Sequence, residues 1–275
     1  MALSDHTHPA CAVDLAVLTI EDGALSVLLT RRPDAEAVGG EWAMPGAFVH
    51  EDVGLEDTVR RALADKANLA GAYVEQLATF GDLGRDPRGR VISITYLALI
   101  PARRLREAVE PRDDLAIARL RVPWEGEAGG PVEALCVDEA PGVDEALSGG
   151  GAPLALAFDH AAILGQTVRR LRGKIDYAPI AFELLPARFT LRALQAVHEA
   201  VLGRELLKPP FRRRMLDRGL IEPTGEREEG GAHRPAELYR RAGAAVGHDP
   251  SRRGAGVGER EASEGRRGAT GPPSG

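Results

Sequence analysis

The amino-acid sequence predicts an α/β fold in its first half, followed by a second, smaller α+β domain. Before residue 100, β-rich runs alternate with one amphipathic helical stretch, as in layered α/β domains. After residue 188, two adjacent helical stretches are followed by two extended runs. The 275 residues are 44% hydrophobic, which is enough for two ordinary cores.

Four β-rich runs and one helix make up the first predicted domain. We expect strands at residues 12–20, 25–30, 77–80 and 91–100, with a polar loop at 81–90. Glu21-Asp22-Gly23 separates the first two runs and is typical of a hairpin turn. Residues 55–69 have the period of an amphipathic helix, and this mixture predicts an α/β sandwich.

The middle and the end of the chain suggest where the domains divide. Residues 107–151 are less regular and end in a flexible Ser-Gly-Gly-Gly stretch, and helical periodicity returns over 158–172. Residues 244–275 are rich in Gly, Arg, Glu, Ser and Pro and lack apolar periodicity. We therefore expect a first domain at 10–155, a connecting helix with a second domain at 156–243, and a disordered tail at 244–275.

The sequence indicates neither a membrane span nor secretion. No stretch approaches 18 consecutive apolar residues, and no basic start followed by an apolar run opens the chain. Cys11 and Cys136 lie far apart and form no Cys-x-x-Cys pair, which fits a reducing compartment. We expect a soluble, cytoplasmic protein without a membrane partner.

Positive charge is concentrated in one segment of an otherwise acidic chain. Residues 189–218 carry seven basic and three acidic side chains, a net charge of +4, whereas the whole chain has −6. Nucleic acid is the partner that such a segment favours. A solvated helix face is the alternative explanation.

Two helices are predicted in this basic segment. Thr190 is placed to cap the first helix, whose apolar stripe includes Leu194 and Val201, and Gly203 is placed to end it. Pro209 or Pro210 suits the first position of the second helix, because proline lacks the N–H that would be unpaired there. The apolar positions of that second helix are Phe211, Met215 and Leu216.

The arginines of the second helix fall at different angles around its axis. Measured from Phe211, Arg213 and Arg214 lie at about 200° and 300°, so both are expected to face outward. Arg212, at about 100°, falls among the apolar positions and is expected to reach toward a phosphate or the edge of the core.

The two extended runs at residues 220–225 and 235–240 are joined by a polar loop and resemble a wing. Two helices with a basic second helix and a wing define a winged helix-turn-helix, in which the second helix enters the major groove. A protein-binding winged helix is the alternative. The predicted DNA-binding residues are Thr190, Arg192, Lys208, Arg212, Arg213, Arg214, His233 and Arg234.

Residues 42–49 and the following helix resemble a degenerate Nudix box. That motif has a glycine, five residues, a glutamate, seven residues, and then Arg-Glu-aliphatic-x-Glu-Glu-x-Gly-aliphatic. Its first glycine and first glutamate fall here on Ala47 and Val53, and its later positions fall on Arg61, Ala62, Asp65, Lys66 and Asn68. The resemblance implies a Nudix α/β/α sandwich.

The substitutions in the box remove the residues on which hydrolysis depends. Carboxylates at positions i, i+3 and i+4 share one helix face, where they hold Mg²⁺ beside a diphosphate. Only Asp65 remains here, because Ala62 and Lys66 replace the other two. We therefore expect no metal site, no catalytic residues and no enzyme. An active pyrophosphatase that uses Glu51, Asp52, Glu56 or Asp57 is the alternative, and an unrelated α/β protein is another.

The loop at residues 85–93 resembles segments of Nudix proteins that handle ADP-ribose-like ligands. Arg88 and Arg90 carry guanidinium forks suited to phosphate, and Asp86 is an acceptor for a ribose hydroxyl. The alternative is a hairpin turn closed by an internal Asp-Arg pair. Arg31 and Arg32 are expected either to add contacts to a phosphate or to be solvated. Trp42 is expected either to stack on a base or to be a buried anchor of the core.

Together, residues 10–243 resemble the NrtR family of Nudix-related transcriptional regulators of NAD metabolism. Further matching segments are residues 156–160 and 219–225, and His160 taken alone reads as a helix-start or core histidine. The resemblance implies a homodimeric repressor that binds a double-stranded DNA operator and senses ADP-ribose or a related nucleotide, without a cofactor. Pro210 and a long 107–151 region depart from the family pattern, which leaves operator preference and effector identity open.

Overall fold

A computed structural model of the chain describes residues 6, 8–33, 41–66, 69–136, 151–228 and 235–243. An eight-stranded sheet dominates the first half, with the order β5-β6-β1-β2-β7-β8, β3 beside β2 and β4 beside β1. Among the strands that the structure describes, β1 and β6 pair in parallel, and the other strand pairs of this sheet are antiparallel. The strands are β1 (Ala10–Glu21), β2 (Ala24–Arg31), β3 (Trp42–Ala43), β4 (Gly46–Phe48), β5 (Tyr73–Phe80), β6 (Val91–Leu99), β7 (Leu115–Arg121) and β8 (Glu133–Cys136).

Helices cover both faces of this sheet. The odd-numbered residues Val13 and Leu15 of β1 pack with helices α1 (Leu55–Arg61) and α2 (Ala102–Val109), while Leu18 packs with helix α3 (His160–Lys174). This alternation follows from the two-residue period of a strand. The predicted α/β/α sandwich is therefore confirmed. Among the described residues, no helix has the length and apolar character needed to span a membrane.

A small α+β unit forms the second half. Strand β9 (Phe189–Thr190), helices α4 (Leu191–Leu202) and α5 (Lys208–Asp217), and strands β10 (Ile221–Arg227) and β11 (Glu237–Arg241) make a winged helix with the sheet order β10-β11-β9. The Thr190 hydroxyl accepts from Ala193 N at 3.1 Å, and Gly203 ends α4 with φ of 68°. Both predicted caps are confirmed.

Helix α3 belongs to the cores of both halves. Its residues Leu164 and Leu171 share one cluster with Leu18 of the sheet and Val201 of α4. Gly165 lies so close to the Gly130 carbonyl that a Cβ there would stand 1.8 Å from the oxygen. The predicted connecting helix is thus present, and it also covers one face of the sheet. The domain limits at 10–155 and 156–243 stay predictions.

Several elements of the structure differ from the predictions. The helix expected over 55–69 is α1 followed by a π-helical turn, Ala62–Lys66, because both Ala62 and Leu63 turn toward the core there. The region at 107–151 contains β7 and β8, which were not predicted because β7 begins with four consecutive apolar residues and β8 has only 4 residues, so neither shows a clear two-residue alternation. Strand β9 was not predicted, because a strand of two residues is too short to show the two-residue period in the sequence. The predicted flexible residues 148–150 and tail 244–275 lie outside the described residues.

Candidate ligand pocket and nucleic-acid interface

A buried polar cluster joins the 81–90 loop to β1 and to the start of α3. The Arg85 side chain is 4% exposed, and its guanidinium forms two hydrogen bonds to Asp159, from Nε to Oδ2 at 2.9 Å and from Nη2 to Oδ1 at 2.8 Å. Nη2 also lies 3.4 Å from Asp14 Oδ2, which accepts from the Ser93 hydroxyl at 2.5 Å. One arginine therefore connects three segments that are distant in sequence.

Gly46 makes this cluster possible. A Cβ at this position would lie 2.6 Å from the Val13 carbonyl oxygen and 2.7 Å from Asp14 Oδ1. Strand β4 therefore approaches β1 closely only because residue 46 has no side chain. The approach brings β4 against the Asp14 carboxylate.

His160 is a core histidine at the first position of α3, as predicted. Its ring is buried, and Nδ1 accepts a hydrogen bond from Met44 N at 3.0 Å. The neutral ring therefore carries its proton on Nε2, which faces Asp14 Oδ1 at 3.9 Å. Burial lowers the pKa of His160, although the Asp14 carboxylate opposes that shift.

We expect the free energy of unfolding to fall as the pH falls below about 6.5. Burial lowers the pKa of both His160 and His198, so the unfolded chain binds more protons in this range. Each histidine contributes a slope of up to about 1.4 kcal/mol per pH unit. Urea unfolding between pH 7 and pH 5.5 measures it, and His160→Asn, which keeps an acceptor for Met44 N, should reduce the slope. An unchanged slope in that variant contradicts the assignment.

Two of the predicted ligand residues meet on one aromatic ring. The guanidinium carbons of Arg32 and Arg88 lie 4.6 Å and 5.2 Å from the centroid of the Phe158 ring. Arg88 also lies 5.9 Å from the Phe48 ring, which is 46% exposed. Phe158 itself has φ of 55°, a conformation that costs a bulky non-glycine residue energy and that recurs at functional sites as well as in turns. We call Arg32, Phe48, Arg88 and Phe158 the arginine platform.

Asp86 and Arg88 form the internal pair that was the alternative for this loop. Asp86 Oδ1 accepts from Arg88 N at 2.9 Å and from Nε at 3.0 Å, and Oδ2 accepts from Nη2 at 2.9 Å. These hydrogen bonds from Arg88 hold the pKa of the Asp86 carboxyl below its usual value. The pair fixes the turn so that Arg88 stacks on Phe158.

The other predicted ligand residues make different contacts. Arg31 Nε donates to Glu41 Oε1 at 2.7 Å, and Arg90 Nη1 donates to the Gly81 carbonyl at 2.6 Å within its own loop. Trp42 is half-buried against the core, and its carbonyl accepts from the N–H of Ala157, the residue before Phe158. Trp42 therefore borders the platform through its backbone.

The residues at the Nudix-box positions do not fit a magnesium site. Ala62 is 2% exposed within the core, and the exposed Asp57 pairs with Arg60 at 3.0 Å. Glu51, Asp52 and Asp65 are exposed, and the described part of the chain holds no group of three or more His, Cys, Asp or Glu that suits a metal ion. A glutamate at position 62 would have to enter the hydrophobic core.

The outward face of α5 differs from the predicted one. Arg213 is 85% exposed, as expected, and lies 3.7 Å from Asp217. Arg214 was wrongly placed outward: it is 36% exposed and pairs with Asp176 at 3.2 Å. The reason is that Leu216, counted as a core position, is 40% exposed, so the buried side is centred between Phe211 and Met215.

Arg212 is exposed instead, with Nη2 3.5 Å from the Tyr239 hydroxyl of the wing, at the edge of the core. Arg192 and Lys208 are also exposed, whereas the Thr190 hydroxyl is engaged in capping α4. His233 and Arg234 lie outside the described residues. A shallow cavity of about 630 Å³ runs along α5, lined by Pro209, Pro210, Arg213, Arg214, Asp217 and Arg218.

This combination defines a class: a Nudix-type domain joined to a winged helix with an arginine-bearing second helix. Family models agree, since residues 10–126 match the NUDIX domain and residues 181–241 match the NrtR DNA-binding winged helix domain. A relative from Acinetobacter baylyi, the ADPR responsive transcriptional repressor NtrR, is 33% identical over 239 residues, 86% of this chain and 84% of that protein. The chain belongs to the NrtR family.

Two further similarities extend this comparison. The crystal structure of Shewanella oneidensis NrtR complexed with a 27mer DNA has a TM-score of 0.66 and 31% identity, over 84% of this chain and 93% of that chain. The ADP-ribose pyrophosphatase of Methanocaldococcus jannaschii is 33% identical over 92 residues, which are 34% of this chain and 52% of that protein.

Proposed function

We propose that this protein is a transcriptional repressor that binds operator DNA through its winged helix and responds to ADP-ribose through its Nudix domain. The observation that carries the proposal is the stacking of Arg32 and Arg88 on Phe158. That ring lies two residues before α3, and the far end of α3 reaches α5 through Asp176 and Arg214. The repressor from Acinetobacter baylyi supports both the ligand and the regulatory role.

The arginine platform suits a nucleotide diphosphate. Two guanidinium groups beside one ring concentrate positive charge that suits an anionic phosphate, although Arg88 also donates to Asp86, and the exposed face of Phe48 suits an adenine base. Arg31, Trp42, Asp86 and Arg90 remain proposed contacts around this platform. No resident cofactor is included in the proposal.

The DNA-binding surface is proposed to be the outward face of α5 together with the wing. Arg212 and Arg213 are the arginines of α5 that face solvent, and the proposed surface also includes the exposed Lys208 at the start of α5 and the exposed Arg192 of α4. The proposal also includes a homodimer that binds a palindromic operator and a cytoplasmic location. It assigns the sensor to residues 10–155 and the DNA-binding part to residues 156–243.

Arg213→Ala is expected to weaken binding to a selected duplex by about 5–150-fold, the loss of one groove contact of roughly 1–3 kcal/mol. The duplex is selected by the wild-type protein from a random pool of 27 base pairs, and fluorescence anisotropy gives Kd. Arg103→Ala, a 90% exposed arginine on α2, is the control and should bind as the wild type does. If Arg213→Ala and Arg103→Ala bind the duplex with equal affinity, α5 is not the helix that contacts the DNA bases.

A second candidate function is ADP-ribose hydrolysis, which the similarity to an archaeal pyrophosphatase favours. Against it stand Ala62 in the core and Lys66 at a position where the Nudix box has a glutamate. We expect no phosphate release from ADP-ribose and Mg²⁺ in a phosphatase-coupled assay. Multiple turnovers in that assay support the hydrolase instead.

A further inference from the structure

Asp176 lies just beyond the C-terminal end of α3 and contacts the helix proposed to read DNA. Its Oδ1 is 3.2 Å from Nη2 of Arg214 on α5. Although both side chains are partly exposed, Asp176 Oδ1 and Arg214 Nε are shielded from solvent. Neither of these two atoms makes a hydrogen bond within the described residues, so the contact is an electrostatic pair whose attraction is less screened by water than that of a fully exposed pair.

Arg214 belongs to the junction of three helices. Its guanidinium carbon lies 5.7 Å from the Phe211 ring on the same helix. Phe211 in turn makes an edge-on contact with the His198 ring of α4, with the centroids 5.0 Å apart. Arg214 thus lies on the side of α5 that faces α3 and α4, whereas Arg213 lies on the side of α5 that faces solvent.

Helix α3 is also attached directly to α4. Arg172 Nε donates to the Val201 carbonyl in the last turn of α4 at 2.9 Å, and Nη1 donates to the Trp124 and Gly126 carbonyls of the first half. Its guanidinium lies 4.7 Å from the Trp124 ring. Because Arg172 already holds α3 and α4 together, the Asp176–Arg214 pair affects the position of the third helix, α5.

We propose that Asp176 is a positioning residue for DNA recognition: through Arg214 it holds α5 in the orientation that binds DNA, and Arg214 itself does not contact DNA. The proposal rests on the proposed function. Helix α3, about 22 Å long, joins the Arg85–Asp159 pair at its start to Asp176 just beyond its end, and it is the element through which a nucleotide on the arginine platform acts on α5.

A double-mutant cycle on the full chain tests the proposal. Asp176→Asn and Arg214→Gln are each expected to weaken binding to the selected duplex by about tenfold. The double variant should bind no more weakly than either single variant, because both remove the same contact. Glu107→Gln, which removes an exposed pair on α2, is the control and should leave Kd unchanged.

The charge-reversed variant Asp176→Arg with Arg214→Asp should recover most of the lost affinity, and thermal unfolding checks that each variant is folded. In Asp176→Asn, the fold-change in Kd caused by ADP-ribose should also shrink toward one. Losses that add in the double variant, or tighter binding by Asp176→Asn, mean that Arg214 contacts DNA and overturn the proposal. Failure of the wild type to select any duplex instead overturns the proposed function.

Discussion

Arg85→Met is expected to lower the free energy of unfolding by about 3–5 kcal/mol, the range for removing one partner of a buried ion pair. Arg85 is 4% exposed, and it faces the carboxylates of Asp14 and Asp159, which are 13% and 23% exposed. Without the guanidinium, two negative charges remain close together in a site that water reaches poorly. Methionine fills similar volume, so the loss reports charge rather than a cavity.

Urea unfolding at pH 7, followed by circular dichroism, measures this loss. Arg103→Met removes a 90% exposed arginine and is expected to change the free energy of unfolding by at most about 0.5 kcal/mol. A loss below about 1 kcal/mol for Arg85→Met contradicts the claim that Arg85 holds the 81–90 loop, β1 and α3 together.

The double variant Arg32→Met with Arg88→Met is expected to weaken ADP-ribose binding by about 10²–10⁴-fold. The estimate assigns roughly 1.5–3 kcal/mol to each guanidinium contact with a phosphate. Since neither arginine lies on α5, affinity for the selected duplex should stay within about threefold of the wild-type value. The variant is therefore expected to bind the duplex as the wild type does but no longer to release it when ADP-ribose is added.

Isothermal titration calorimetry gives the ligand affinity, and Arg31→Met is the informative comparison. Arg31 is adjacent in sequence to Arg32, but its guanidinium pairs with Glu41. We expect a smaller loss for Arg31→Met than for the platform variant. Unchanged ADP-ribose affinity in the platform variant means that the ligand binds elsewhere.

Local sequence signals predicted most of the fold. Runs rich in β-forming residues located β1, β2 and β6, and capping residues such as Thr190 and Gly203 located both ends of α4. These features depend on neighbours a few positions apart. The π-helical turn after Arg61 was missed because a fixed 3.6-residue period cannot represent an inserted residue.

The sites were harder to predict, because their contacts are distant in sequence. Arg85 pairs with Asp14 and Asp159, which are 71 and 74 positions away, and no local pattern joins these three. Phe158 was part of a matching segment, but only the fold brings it against Arg32 and Arg88. Arg214 was placed outward because an exposed leucine was counted as core.

The central claim is that a nucleotide in the Nudix domain and an operator on the winged helix influence each other. Linkage requires this influence to be mutual, so ADP-ribose and DNA must weaken each other by the same factor. A coupling of about 3 kcal/mol corresponds to a factor of ~150.

The most direct test is an equilibrium titration of the selected, labelled duplex with wild-type protein at increasing ADP-ribose, with NAD and pentose phosphates as comparison ligands. We predict that ADP-ribose raises Kd for the duplex by up to ~150-fold and that the duplex raises Kd for ADP-ribose equally. A Kd for the duplex that stays constant while calorimetry shows ADP-ribose bound contradicts the account.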